Sequence, residues 1–437
     1  MVKKDLLKEL ENGRSSFKAY GTVKVDSETF GEPQTSKHSS YNYSRAAFPI
    51  KTGEGRSTYV QMMGGYFPDK PVLKRFNKDT KEMFDIQWAD RKTPQIIEKV
   101  AVSGLISIRL EHETEVVKDK DGNETTKQGK LITKQFISEI DAIKYLGEHL
   151  HNGEHVYIGG TVDYQLYNGE VQRQFSINRI SLLEDFEPYT DEDGKLHKPH
   201  ADGAFMTQSY LVDNSSVSKR YKSELEKNGS TTIDAWVPQY ISKIDGEEVK
   251  AVRALPQKFV IEADTKDEKD IHTKEMLVEK YIKVKDRDVV RQIDLENIIA
   301  DGFETSKGKV ERTPEIQDLI DLGIMAEEEV DEQLTVTGNA VKKIVYGKPA
   351  LNKQDGQFRW DKYDTSVLTA VEKDDKDDVK PDPFGDEVDE VEESPADVFK
   401  EDTADEPVKE EAVDTKDEQD DSSDTPESLQ SFFDDLG

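Results

Sequence analysis

Polar and apolar residues alternate from Ser15 to Val25. Phe17, Ala19, Val23 and Val25 share one face, with Gly21 among them, and Lys18, Tyr20, Thr22 and Lys24 share the other. A two-residue period of this kind marks a strand with one face buried. Residues 41–50 and 56–66 read as two further strands, joined by the turn Thr52-Gly53-Glu54-Gly55. More strands are expected over 98–110 and 124–137, with a loop at Asp121-Gly122-Asn123. The period then changes. Ile140, Ile143, Leu146 and Leu150 recur at helical spacing behind Ser138, which caps the helix, and Asp141 completes an acidic form of the capping box. Gly153 stops the helix. Alternation returns over 155–167, where Val156, Ile158, Val162, Tyr164 and Leu166 share a face, and Asn168-Gly169 turns the chain into a return strand over 170–183.

Strands, a capped helix and a closing hairpin follow one another in the order of an OB-fold, a five-stranded barrel. The hairpin at 98–137 is then an insertion, and Gly21, Gly159 and Gly160 suit the sharp coiling of so small a barrel. Periodicity stops near 186–204, where turn formers cluster. The expected organisation is mostly β with α elements: an OB-fold domain over 1–190, a linker over 191–204 and a second domain over 205–370. In that second domain, strands are expected at 231–243 and 247–262 around Asp245-Gly246. A helix is expected at 286–301, a second one from Thr313-Pro314 to Gly323, and strands at 333–346 and 356–369. That order fits a second, diverged OB-like domain or an α+β domain of another kind.

Charge changes the picture. The 437 residues carry a net −32, and hydrophobic residues make up only 34% of them. Residues 1–190 hold 27 basic and 28 acidic groups, 191–370 hold 27 and 36, and 371–437 hold 6 and 28. The acidity is therefore concentrated in 371–437, a stretch too poor in apolar residues to offset its ordering entropy and expected to be disordered. Residues 1–110 are net positive, with 19 basic and 13 acidic groups. The chain has no cysteine, so disulfides, thiolate zinc sites and cysteine nucleophiles are excluded. No apolar run is long enough for a bilayer, so no membrane partner is expected, and the start lacks an apolar signal core, which points to a cytoplasmic location.

FKAYGTV and HVYIGGTVDYQLYNGEVQRQFSINRISLLE resemble the first and last strands of single-stranded DNA-binding proteins and replication protein A modules. The resemblance covers roughly residues 15–185. The plan of OB domains followed by an acidic tail resembles bacterial and phage members of that group. It implies a non-enzymatic protein that protects single-stranded DNA during replication or recombination. In a phage setting the location would be the host cytoplasm.

Single strands are held by cations that track phosphates and by aromatics that stack on bases. The first domain interleaves both: Lys18, Tyr20, Lys24, Tyr41, Tyr43, Arg45, Arg56, Tyr59, Tyr66, Phe67, Lys74, Arg75, Phe76 and Trp88. Lys18, Tyr20 and Lys24 stand opposite the apolar face of the first strand, and Tyr41, Tyr43 and Arg45 share a face of the second. The bland alternative is that these tyrosines are barrel packing. Phe17, Phe48 and Phe175 fall in phase with apolar neighbours and are assigned to the core. In the acidic stretch, Leu429, Phe432, Phe433 and Leu436 fall at helical spacing beside Asp434 and Asp435, so 426–436 reads as a helix that forms on a partner protein. The resemblance makes that partner a replication or recombination protein, although bacterial tips end in Pro-Phe. Asp382-Pro383-Phe384 is a lesser element of the same kind.

Catalytic signals are weak. There is no P-loop, GxGxxG or HExxH, and no cofactor or metal is expected. His149, His151 and His155 only flank a helix end. Residues 119–124 place glycine fourth rather than sixth for a calcium loop and read as a turn. Two other functions stay open: an assembly protein that uses an OB-like barrel for protein contacts, and a metal-dependent nuclease.

Overall fold

The computed structural model describes residues 6–37, 39–77, 82–100, 104–118, 124–167, 170–184, 188–190, 196–244, 247–309, 313–322, 324, 330, 335–351, 356 and 358–368. The expected acidic stretch 371–437 lies outside them, with its docking residues Leu429, Phe432, Phe433, Asp434, Asp435 and Leu436 and the element at 382–384. So do the turns Asp121-Gly122-Asn123, Asn168-Gly169 and Asp245-Gly246, and Gly323.

The fold is mostly β. Its first part is built from β1 (Ser15–Val23), β2 (Asn42–Gly53), β3 (Arg56–Tyr66), helix α1 (Glu139–His149), β4 (His155–Tyr167) and β5 (Glu170–Leu182). β1 pairs with β2, β2 with β3, β3 with β5 in parallel at Ser176 and Gln61, β5 with β4, and β4 with β1. The pairings thus lead back to the strand they started from. The expected inward face is the core: Phe17, Ala19, Val23, Phe48, Ile158 and Phe175 are all buried, with Ile143 and Leu146 of α1 packed among them. At Gly21 a Cβ would run into the Lys51 carbonyl oxygen, so this close approach of β1 to β2 needs glycine.

Between β3 and α1 the insertion differs from expectation. Residues 98–100 close a helix, Pro94–Val100, and among the described residues of the expected first strand Ile106–Arg109 forms a strand. The hairpin is His112–Lys118 with Glu124–Leu131, and Lys134–Phe136 then returns to pair with Ile106–Arg109. Ser138 does occupy the N-cap of α1, but its Oγ is buried without a hydrogen bond, so no capping box forms. Asp141 is taken instead by the insertion, through Arg91 at 2.6 Å and Lys92 at 3.0 Å.

The second part repeats the arrangement. Its elements are β6 (Gly203–Val212), β7 (Ser230–Ile244), β8 (Glu247–Glu262), α2 (Glu268–Leu277), β9 (Val289–Ile299) and β10 (Ile344–Pro349). β6 pairs with β7, β7 with β8, β8 with β10 in parallel at Val260 and Val345, β10 with β9, and β9 with β6. Strand order, the parallel contact between third and fifth strands and the helix between third and fourth strands all match the first part.

The helix expected at 286–301 is therefore β9. Its residues include the β-branched Val289, Val290, Ile293, Ile298 and Ile299, and it is hydrogen-bonded along both edges. Buried on both faces, it lacks alternation, and its adjacent apolar pairs imitate a helical period. Of the polar residues this buries, Asp294 accepts from Ser209 at 2.6 Å and pairs with Arg14 at 3.3 Å, and Asn297 donates to the Tyr210 hydroxyl at 3.0 Å, while Asn297 Oδ1 and Gln292 Nε2 are buried without a hydrogen-bond partner. The helix from Pro314 is present as Pro314–Asp321, while the end of the expected 356–369 strand is a short helical turn, Thr365–Leu368.

The two parts meet edge to edge. Ser15–Tyr20 of β1 pairs antiparallel with Gly203–Gln208 of β6, so one sheet runs through both. The segment before β1 pins this junction: the Arg14 amide donates to Ser209 Oγ at 2.7 Å, and Leu7 exchanges backbone hydrogen bonds with Lys362 and Asp364. Among the described residues, no helix is long and apolar enough to cross a membrane.

Candidate nucleic-acid interface

β1 lies between β4 and β6, and its outward residues meet partners from both. Tyr20 stands opposite Tyr157 on one side and Gly203 on the other. Lys18 stands opposite Gly159 and Phe205, and Ser16 opposite Thr161 and Thr207. β5 continues the row, with Arg179 opposite Gly159. The two glycines leave the surface low beside Lys18 and Tyr20. Their ladder is irregular too, since the register shifts between Gly159 and Gly160. At Gly160 a Cβ would strike the Ser176 carbonyl oxygen, so the strands close up here only with glycine.

The result is an open groove of about 340 Å³ along the seam between the two parts. Lys18, Tyr157, Asn178, Arg179 and Phe205 line it, together with Glu296 of β9. The Lys18 ammonium sits 5.5 Å from the centre of the Phe205 ring. At the groove's edge Tyr20 packs against Tyr157 at 5.3 Å and stacks on His200 at 4.7 Å, with 22° between the planes. Burial, and then Tyr157, raises the Tyr20 hydroxyl above its ordinary value, so it stays neutral. Burial lowers the His200 imidazole, and the neighbouring Lys18 and His155 lower it further. His155 is held by Asp202 at 2.7 Å. Flat rings and two cations along an open trough can stack on bases and meet phosphates.

The other residues singled out from the sequence do not join this groove. Tyr41 and Tyr43, expected as exposed platforms, are each only 7% exposed. They stack on each other at 6.2 Å and 12°, and Tyr41 also packs on Phe67 at 4.8 Å. The short strand Gln34–Thr35 pairs with Asn42 and Tyr43, and Gln34 accepts from the Tyr43 hydroxyl at 3.2 Å. Burial, with Glu139 nearby, pushes the Tyr41 hydroxyl up to about 12. Tyr66 stacks on Trp88 at 3.9 Å, and the Arg91 guanidinium covers Trp88 at 3.7 Å. Both rings pack on a small satellite core of Leu73, Ile86, Val100 and Ile137. Arg75 donates to the Ile137 carbonyl and pairs with Glu139 at 3.4 Å. These groups fasten the insertion to the first part.

A third set stays exposed on the outer face of β2 and β3. Tyr59 is 59% exposed, Arg45 stands opposite Met63, and Arg56 is exposed at the β2–β3 turn. Lys24 and Lys74 are exposed, and the Phe76 side chain lies outside the described residues.

Sequence reasoning passed over Tyr157, Asn178, Arg179, His200 and Phe205. A signal existed for Tyr157, because alternation over 155–167 places it opposite the core face. For Phe205 there was none, since GAFMTQSYLV is buried on nearly every residue and does not alternate. Among the described residues, no group of three or more His, Asp or Glu stands where it could hold a metal ion.

No protein-family model and no curated protein matches the chain. Among solved structures it is similar to the wild-type single-stranded DNA binding protein from Thermus aquaticus, at 7% identity and a TM-score of 0.27, over 70% of this chain and 99% of that one. A deletion variant of the same Thermus protein aligns at 8% identity and a TM-score of 0.26, over 70% of this chain and 100% of that one.

Proposed function

We propose that each of the two strand circuits is an OB-type barrel and that the protein binds single-stranded DNA along the seam between them. The observation that supports this most is the convergence of Lys18, Tyr157, Arg179 and Phe205 on one groove, with Tyr20 packed against Tyr157 beside it. Its rings accept the faces of unpaired bases whatever their identity, and Lys18 and Arg179 meet the phosphates. A duplex keeps its base faces in its own stack and gains nothing from the rings. The exposed face with Arg45, Arg56 and Tyr59 lies on β2 and β3, the second and third strands, where OB-folds commonly hold a single strand, and it extends the path.

The acidic stretch 371–437 acts as a competitor for this face, and its tip at 426–436 docks partner proteins of replication or recombination. Removing 371–437 tightens binding of single-stranded DNA at low salt; equal or weaker affinity of the truncated chain rules the competition out.

Quenching of intrinsic fluorescence by oligo-dT over a range of salt concentrations, repeated with duplex DNA and with magnesium, tests the reading as a whole. Saturable, salt-sensitive quenching by the single strand alone is the expected result. Absence of quenching favours an assembly role, and a magnesium-dependent cleavage product favours a nuclease.

A further inference from the structure

β9 reaches two concave surfaces through adjacent residues. Glu296 lines the seam groove, and Leu295 and Asp294 line a second, smaller concavity. The wall of that second surface is aromatic. Tyr281, Phe358 and Trp360 are 42%, 39% and 38% exposed. The Tyr281 and Trp360 rings lie 6.1 Å apart at 25°, and Phe358 meets Trp360 edge-on at 6.2 Å. Local structure enforces this display. α2 runs on into the wide helical turn Val278–Ile282, where Val278 and Ile282 are buried and Tyr281 is left outside. Arg291 braces the arrangement, with its guanidinium 4.8 Å from the Trp360 ring centre and a hydrogen bond of 2.6 Å to the Tyr281 carbonyl. Three large rings gathered on one exposed surface mark a place that something else covers.

Charge identifies what covers it. Residues 279–291 hold five basic groups, Lys280, Lys283, Lys285, Arg287 and Arg291, against Glu279, Asp286 and Asp288, and Glu279 pairs with Lys283 at 3.0 Å and Lys285 at 3.7 Å. They do so within a region, 191–370, where acidic residues outnumber basic ones 36 to 27. Exposed rings beside a locally basic segment are the requirements of unpaired bases on a phosphate backbone. An apolar peptide would use the rings and have no use for the cations.

We propose that Tyr281, Phe358 and Trp360 form a second stacking site, for unpaired bases of a strand that leaves the seam groove past β9. This rests on the reading of the groove as a single-strand site, and it adds a contact on the second part that a short strand cannot reach.

Photocrosslinking of the full chain to oligo-dT carrying bromodeoxyuridine, with the crosslinked peptides mapped by mass spectrometry, separates the two ideas. Crosslinks on peptides holding Tyr281 or Trp360 as well as Tyr20 or Tyr157 support both. Crosslinks at Tyr20 or Tyr157 alone overturn the second site and leave the groove standing. Crosslinks at Tyr281 or Trp360 alone remove the groove and, with it, the path from the groove to a second site. Affinity gives an independent readout. Tyr281→Ala and Trp360→Ala each weaken binding of an oligo-dT of about 30 nucleotides about tenfold and leave one of about 10 nucleotides unchanged, while Tyr281→Phe keeps wild-type affinity. Equal losses for both lengths, or none, overturn the proposal. So does protection of the aromatic surface by a peptide of residues 425–437 and not by DNA, which would make the acidic tip its occupant.

Discussion

Two tyrosine pairs lie on the first part of the molecule, and composition does not tell them apart. Tyr41 and Tyr43 stack on each other and are covered by the Gln34–Thr35 strand and Phe67. Tyr20 and Tyr157 lie at the rim of an open groove, on strands whose other neighbours are glycines. The first pair is buried against protein on every side, whereas in the second pair Tyr20 gives one side to His200 and Tyr157 and both rings stay only half-buried, beside cations at a surface. Which strand lies next to a residue therefore matters more than whether the residue is aromatic. Pairing of β1 with β6 creates the groove, whereas pairing of β2 with Gln34–Thr35 closes the other surface.

The largest effect should come from the buried pair. Tyr41→Ala leaves a cavity among Tyr43, Phe67 and their neighbours and costs about 3 kcal/mol of stability, by analogy with buried Phe→Ala changes. Thermal and denaturant unfolding should reveal it, while the folded fraction binds oligo-dT with unchanged affinity. A binding defect in well-folded Tyr41→Ala protein would erase the distinction between the pairs. Tyr157→Ala should do the reverse, with unfolding close to wild type and binding weakened by about 1–3 kcal/mol.

Smaller effects sharpen the electrostatic side. Lys18→Met removes one phosphate contact and should reduce the slope of log affinity against log salt by roughly 0.7, measured by anisotropy over a salt series. An unchanged slope would mean that Lys18 only packs on Phe205. The smallest effect concerns pH. His200 has its pKa lowered by burial, Lys18 and His155, so the unfolded chain takes up that proton at a higher pH than the folded one. Stability from this group is complete above the ordinary histidine value of 6.5 and is lost as pH falls through the lowered folded value. Binding moves the opposite way, because protonated His200 adds a positive charge beside Lys18. Affinity should rise a few-fold as pH falls through that lowered value, and His200→Phe should flatten this component and leave any contribution of the His155–Asp202 pair.

Much of the first part was legible because its strands have one buried face. Alternation over 15–25 and 155–167 identified β1 and β4 and sorted Phe17 from Lys18 correctly. The second part was harder for a definite reason. β6 and β9 pair with each other at the centre of the sheet and are buried on both faces, so the two-residue period is lost. That hid β6 altogether and made β9 look helical. The groove suffered from the same gap, since Lys18 meets Phe205 only through the pairing of β1 with β6, a contact across almost the whole first part of the chain. Tyr41 and Tyr43 were misjudged because a two-residue strand covers them, and Gln34–Thr35 is too short to show a period.

Binding of labelled oligo-dT by wild type and by Lys18→Glu, compared by anisotropy at matched thermal stability, tests most directly whether the strand lies in the seam. Charge reversal at the centre of the groove should weaken binding more than tenfold and leave melting unchanged. Wild-type affinity in folded Lys18→Glu protein would place the single strand elsewhere.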